Sequence, residues 1–154
     1  MRIREAVYED AVGLRSLLLD IGWFSNSNIG GDEFPEKLKK MLAWNIQEPD
    51  HVLLVAEEDG DIVGYVGLHF IPYLFMGHPE GYISELFVKS SARGKGIGSK
   101  LLTEAVKRGR ARGCSRMQLV NMKNRDSYKR GFYTKMGWRE RENAADFVYD
   151  PTEG

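Results

Sequence analysis

The chain has 154 residues, of which 42% are hydrophobic, so it has the length and apolar content for one packed domain over residues 1–154. Lysine plus arginine and aspartate plus glutamate both number 22, so no global field recruits nucleic acid or an anionic membrane, and neither is expected as a partner. The single cysteine, Cys114, excludes a disulfide framework, and the 3 histidines show no metal-ligand spacing, so no metal is expected.

Residues 1–7 lack an apolar signal segment, and no later run approaches the ~18 apolar residues of a membrane span. A cytoplasmic protein is the expectation. Residues 2–7 alternate charged and apolar side chains and predict a strand. Asp10 can cap a helix that carries Ala11, Leu14, Leu17, Leu18 and Ile21 on one stripe. Residues 22–31 form a glycine- and asparagine-rich loop. Asp32 and Pro35 open a second helix with Leu38, Met41 and Leu42 on one side.

Residues 51–57 and 62–73 read as two strands joined by the hairpin turn Asp59-Gly60-Asp61. Residues 82–89 are the next strand, and residues 97–112 a long helix. Residues 117–120 are a buried strand, and residues 124–136 are expected to be helical. Residues 138–141 and 146–149 are expected to close the sheet as a pair of strands. The class is α/β (α+β): early helices, an antiparallel meander, then a βαβ crossover.

One stretch stands apart, YISELFVKSSARGKGIGSKLL over residues 82–102. An apolar strand meets a short polar turn. The basic, glycine-punctuated run Arg93-Gly94-Lys95-Gly96-Ile97-Gly98 follows, and a helix begins at once. Main-chain N–H groups then converge at the positive end of a helix dipole, which is an anion site. Serine stands where a dinucleotide fingerprint wants its last glycine, and no G-x-x-x-x-G-K-[ST] run exists. What remains is R-x-x-G-x-G between a strand and a helix, suited to a pyrophosphate. A glycine-rich turn that merely caps the helix is the plainer alternative.

That loop, preceded by Glu85-Leu86-Phe87-Val88, resembles the acetyl-CoA loop of the GNAT superfamily of N-acetyltransferases. Ile3-Arg4-Glu5-Ala6 followed by Asp10 is similar to the family's opening strand and helix. Tyr133-Thr134-Lys135-Met136-Gly137-Trp138 resembles its late Tyr-x-x-x-Gly-aromatic signature. The resemblance implies a mixed, mostly antiparallel sheet of six to seven strands, flanked by about four helices, with two central parallel strands splayed apart.

It further implies acetyl-CoA as co-substrate and an amine acceptor, with direct acetyl transfer between them. The pantetheine arm would lie along the main chain of Leu86, Phe87 and Val88, as an added strand would. The amides of Arg93, Gly94, Lys95, Gly96, Ile97, Gly98 and Ser99 would hold the pyrophosphate. Tyr133 falls at the family's acid position, four residues before Gly137. Glu85, a carboxylate in an otherwise apolar strand, is the candidate base or amine anchor, with Tyr82, Ser84 or a water as alternatives. The family's asparagine seven residues before the tyrosine is Asp126 here, and Asn124, two residues earlier, is the candidate cofactor contact instead. Trp23, Phe24, Tyr73 and Phe75 fall in the two loops that flank the acceptor side. A non-catalytic CoA-binding domain on the same scaffold, and acyl transfer of a longer chain or to a hydroxyl, remain open alternatives. Exposed strand edges leave a homodimer open as well.

Overall fold

The computed structural model describes residues 1–22 and 31–152. The predicted loop over residues 22–31, with Trp23 and Phe24, lies almost wholly outside the described residues. Contacts divide the chain into two compact units, Met1–Leu119 and Val120–Gly154.

The first unit holds one sheet of five strands in the order β1-β2-β3-β4-β5. These are β1 (Arg2–Glu5), β2 (His51–Glu58), β3 (Asp61–Tyr73), β4 (His78–Val88) and β5 (Met117–Leu119). The first three pairings are antiparallel, and β4 pairs with β5 in parallel. The helices are α1 (Ala11–Ile21), α2 (Phe34–Gln47) and α3 (Ile97–Ala111), with α3 as the crossover between the two parallel strands. Asp59 and Gly60, both at positive φ (52° and 86°), make the tight β2–β3 hairpin that the sequence pattern predicted.

Each face of the sheet is buried by a separate group of helices. Leu14, Leu17, Leu18 and Ile21 of α1 join Leu42 of α2 over Val55, Ile62 and Tyr65. Their spacing is the apolar stripe expected for α1. In α2 the stripe is narrower than expected: Leu38 packs on the core and Leu42 is buried, but Met41 is 49% exposed. On the other face α3 lies so close that a side chain on Gly64 would meet Ile97 and Leu101. Leu101 and Leu102 are fully buried there, and truncating either to alanine costs about 2–5 kcal/mol by the usual measure of a core leucine.

Asp10 does not cap α1 with its side chain. Its carboxylate instead accepts the Val7 amide at 2.8 Å and a two-pronged bond from Arg4 at 2.7 and 2.8 Å. The Arg4 bond holds the Asp10 carboxyl below the usual carboxylate range, although burial opposes it. At the far end of α3, Arg108 pairs with Glu5, and Arg112 pairs with Asp50 and lies 4.3 Å over the Phe70 ring. These basic residues hold the helix end to the sheet.

The second unit contains two single-turn helices, α4 (Asp126–Lys129) and α5 (Phe132–Lys135). Two expectations are corrected here. The helix expected over residues 124–136 is interrupted at Gly131, whose φ of 66° starts α5 afresh. The closing strands expected at residues 138–141 and 146–149 are not formed: Phe147, Val148 and Tyr149 are 91%, 90% and 82% exposed. Strand-forming residues need a partner edge and a packed face, and this segment has neither among the described residues. Among the described residues the sheet therefore has five strands rather than six or seven, and five α-helices stand where about four were expected.

Candidate functional site

In the first unit, chemistry-bearing groups gather at two places along β4. The first is its C-terminal end. β4 and β5 pair only from Gly81 to Ile83 against Met117 to Leu119, and β4 then runs on to Val88 beyond the last parallel pair. The parallel ladder is therefore short, three residue pairs long.

Past β4, residues Ser90–Ala92 make one 3-10 turn. Asp20 of α1 accepts the Ser90 amide at 2.6 Å and the Ser90 hydroxyl at 2.8 Å, which ties the loop to α1 and holds the Asp20 carboxyl below its usual range. Ala92 and Ile97 are each 2% exposed and pin the loop at both sides. Between them Gly94 and Gly96 take φ of 76° and 77°, left-handed conformations that glycine adopts without strain. Gly96 is the N-cap of α3, and no side chain caps that helix. The N–H groups of the first turn thus lack the usual side-chain acceptor. A Cβ added at Gly94 or Gly96 would meet nothing within 4 Å.

The two basic side chains of the loop differ. Arg93 turns back, and its Nε donates to the Val88 carbonyl at 3.2 Å. Lys95 is exposed and stands 3.9 Å from Glu58. Leu86, Phe87 and Val88 are half-buried on the strand, with the Phe87 ring 5.6 Å from that of Tyr65.

The second place is the middle of β4, where the ladder with β3 slips. Gly67 faces Glu85, yet the next pair is Leu68 with Ile83, so Ser84 is an inserted residue. Such a bulge brings successive side chains to one side of a strand. Here Ser84 and Glu85 are both solvent-accessible, and a Cβ on Gly67 would lie 3.0 Å from Ser84 Oγ and 3.6 Å from Glu85 Oε2. The missing side chain at Gly67 makes the space that both polar groups share.

Tyr65 donates its hydroxyl to Glu85 Oε1 at 3.2 Å. Solvent reaches the Glu85 carboxylate, but protein crowds it closely enough that desolvation pushes its pKa up, against the opposing effect of the Tyr65 bond. Burial pushes the Tyr65 phenol far up, so it stays a donor. Beside them His69 Nε2 lies 2.6 Å from Ser84 Oγ, and the His51 ring meets His69 edge-on at 4.4 Å between centroids.

In the second unit, Tyr133 is half-buried between Phe132 and Trp138, with ring centroids 4.9 and 6.3 Å away. Burial pushes its phenol pKa up, partly offset by Arg130. Asn124 is exposed in the turn before α4, and Asp126 opens that helix. Tyr128 donates to Glu140 at 2.9 Å, so its hydroxyl is engaged within this unit.

A family model described as the acetyltransferase (GNAT) family matches residues 17–138, which takes in the glycine loop, the bulged strand and Tyr133. The chain belongs to the GNAT family. Among curated relatives of this GNAT chain, aminoalkylphosphonate N-acetyltransferase of Salmonella typhimurium is 33% identical over 100 residues, covering 64% of each chain. The chain thus spans somewhat under two thirds of that relative's length. A crystal structure of a transcriptional regulator from Bacillus halodurans is 27% identical, with a TM-score of 0.80 over 96% of this chain and 99% of that one. A predicted acetyltransferase from Clostridium acetobutylicum, solved with acetyl-CoA, superposes with a TM-score of 0.73 at 23% identity, covering 96% and 95%, and shares the fold.

The sequence pattern brought out Glu85, the loop and Tyr133, but not Tyr65, Gly67, His69 or Asp20. Gly67 carried a signal, as a glycine inside a strand pattern often marks a bulge or close approach. The histidines looked scattered because β2 and β3 bring them together only through their register, which sets His51 opposite His69.

Proposed function

We propose that this GNAT chain is an N-acetyltransferase that moves acetyl from acetyl-CoA directly to a primary amine, on a small molecule or a protein. The observation that carries this reading is the end of β4, where the strand outruns its parallel partner and leads into a glycine loop at the uncapped N-terminus of α3. The residues present fit a diphosphate. Amides of residues 93–99 would hold it without side-chain help, and the α3 dipole favours its charge. Lys95 would add a solvated cation, while Arg93 is committed to the Val88 carbonyl and shapes the loop instead. The main chain of Leu86 would guide the pantetheine arm.

When bound, acetyl-CoA supplies the acetyl thioester. This chain must then supply proton chemistry. An ammonium with pKa near ~10.4 is almost wholly protonated at neutral pH, and making it neutral there costs on the order of 4–5 kcal/mol. Glu85 would accept a proton from the amine. Its raised pKa brings it closer to neutrality, where a general base is most effective. Tyr133 would return a proton to the departing sulfur, as its place in the family pattern implies. Its raised pKa keeps that proton in place until then. Asn124 would contact the cofactor.

The reading carries with it a cytoplasmic enzyme that needs no metal, nucleic acid or membrane. Among the described residues no helix is long and apolar enough to cross a membrane, and no group of three ligating side chains could hold a metal ion. The test is a panel of primary amines, including aminoalkylphosphonates, amino sugars, polyamines and peptide N-termini, with free thiol as the readout. Thiol release that depends on one amine class supports the reading. Tight acetyl-CoA binding without release across the panel defeats it.

A further inference from the structure

Acetyl transfer from a thioester to an ammonium removes two protons from nitrogen. One ends on the thiol and the other leaves to solvent. A single carboxylate that has just taken one proton is a poor acceptor for the next, so a second acceptor beside it is useful.

The bulge in β4 places a second candidate next to Glu85. We propose that Ser84 and His69 form a separate proton path, which takes the first proton from the incoming ammonium and leaves Glu85 for the second. This rests on the N-acetyltransferase reading above. Ser84 Oγ lies 2.6 Å from His69 Nε2, and in the tautomer that leaves Nε2 without a proton the Ser84 hydroxyl donates to it and keeps its oxygen lone pairs for an N–H donor in the space beside Gly67. As the ammonium gives its proton to Ser84 Oγ, the serine's own proton passes to His69 Nε2. The amine becomes neutral, the serine is restored, and the histidine becomes an imidazolium that sheds a proton to water. His69 acts through Ser84 and is a positioning and relay residue.

The surroundings suit that work. His69 is half-buried, with Tyr82 opposite it on β4 and His51 opposite it on β2. Burial, and after it the neighbouring His51, hold His69 below the ordinary histidine pKa. Glu85 and Tyr65 are bonded to each other on the adjoining patch rather than to His69. His51 Nδ1 is buried without a hydrogen-bond partner. A base works above its own pKa. The path is therefore open through neutral pH and closes as pH falls.

The experiment has two arms. In the first, kcat/KM for the best amine of the panel is measured against pH for the parent, His69→Gln, Ser84→Ala and Ser84→Thr. The acid limb should move up towards the free amine's own pKa in His69→Gln and Ser84→Ala. The loss should be about 10–100-fold near pH 7 and no more than a few-fold at high pH, and Ser84→Thr should keep the parent profile. A uniform drop at every pH, with the limb unmoved, overturns the relay and makes His69 structural. In the second arm, the His69 ring is titrated by NMR in the intact protein without acetyl-CoA. A midpoint below that of an ordinary histidine, displaced by Ser84→Ala, supports the coupling, and an ordinary midpoint untouched by Ser84→Ala defeats it. Parent turnover with an unmoved limb removes the relay alone, whereas no turnover by the parent removes the enzyme reading with it.

Discussion

The two ends of β4's working stretch are built from different material. Its C-terminal exit, residues 89–99, offers main-chain amides at the start of a 15-residue helix, with side chains used mainly to hold the loop in shape. Its middle offers side chains: Tyr65, Ser84, Glu85 and His69, gathered from two strands by a one-residue slip. An anion wants many donors in a fixed array, and backbone supplies that cheaply in residue identity. Proton transfer wants particular groups with tuned acidity, and only side chains supply those.

The comparison breaks most visibly if Glu85 is neutralised. Glu85→Gln keeps shape and hydrogen bonding to Tyr65 but cannot take a proton. It should lower kcat by about 10²–10⁴-fold while acetyl-CoA affinity stays within about two-fold. An equal loss in both would make Glu85 part of the binding surface instead. Rapid-mix thiol release and calorimetric titration with acetyl-CoA measure the two quantities separately.

Gly96→Asp tests the other end. Gly96 has φ of 77°, so any side chain strains the turn, and a carboxylate there sits where diphosphate charge must lie. The same carboxylate is favourable to the helix itself, since it faces the positive end of α3. The variant should therefore stay folded and lose about 10–100-fold in acetyl-CoA affinity. Unchanged affinity in a folded variant would move the diphosphate elsewhere.

These two regions also differ in how far they could be read from sequence, and for the same reason. The loop is contiguous: R-x-x-G-x-G between an apolar strand and an amphipathic helix carries its whole geometry in one local run. The patch is not. Glu85 stood out because a charge interrupts an apolar strand, but its neighbours depend on register, and the register contains a bulge that shifts every later side chain by one place. Gly67 looks like filler until the slip is known, and Ser84 stands only as an alternative to Glu85. The five-stranded sheet shows the converse error. Apolar residues at 147–149 have strand character in isolation, but propensity without an edge to join does not make a strand.

Tyr133 lies in the second unit and tests whether the side-chain chemistry extends beyond β4. Tyr133→Phe keeps the ring packing against Phe132 and Trp138 and removes only the hydroxyl. It should lower kcat by roughly 10–100-fold, with acetyl-CoA affinity nearly unchanged, as expected for a lost general acid. Because burial holds its pKa above the ordinary tyrosine value, the parent should show no alkaline loss from Tyr133 until pH rises past that value. An identical pH profile and rate in the variant would assign the proton on sulfur to solvent.

The smallest expected effect sharpens the comparison most finely. Arg93 donates to the Val88 carbonyl, whereas Lys95 is exposed, 3.9 Å from Glu58. A solvated charge near a diphosphate contributes little, because water and Glu58 both screen it. Lys95→Ala should weaken acetyl-CoA by only about two- to five-fold, and less as salt is raised. Gly96→Asp should therefore cost more than the loss of this full positive charge. That ordering follows if main-chain nitrogens do the gripping: were the site held together by side-chain charge, Lys95→Ala would be as damaging as Gly96→Asp.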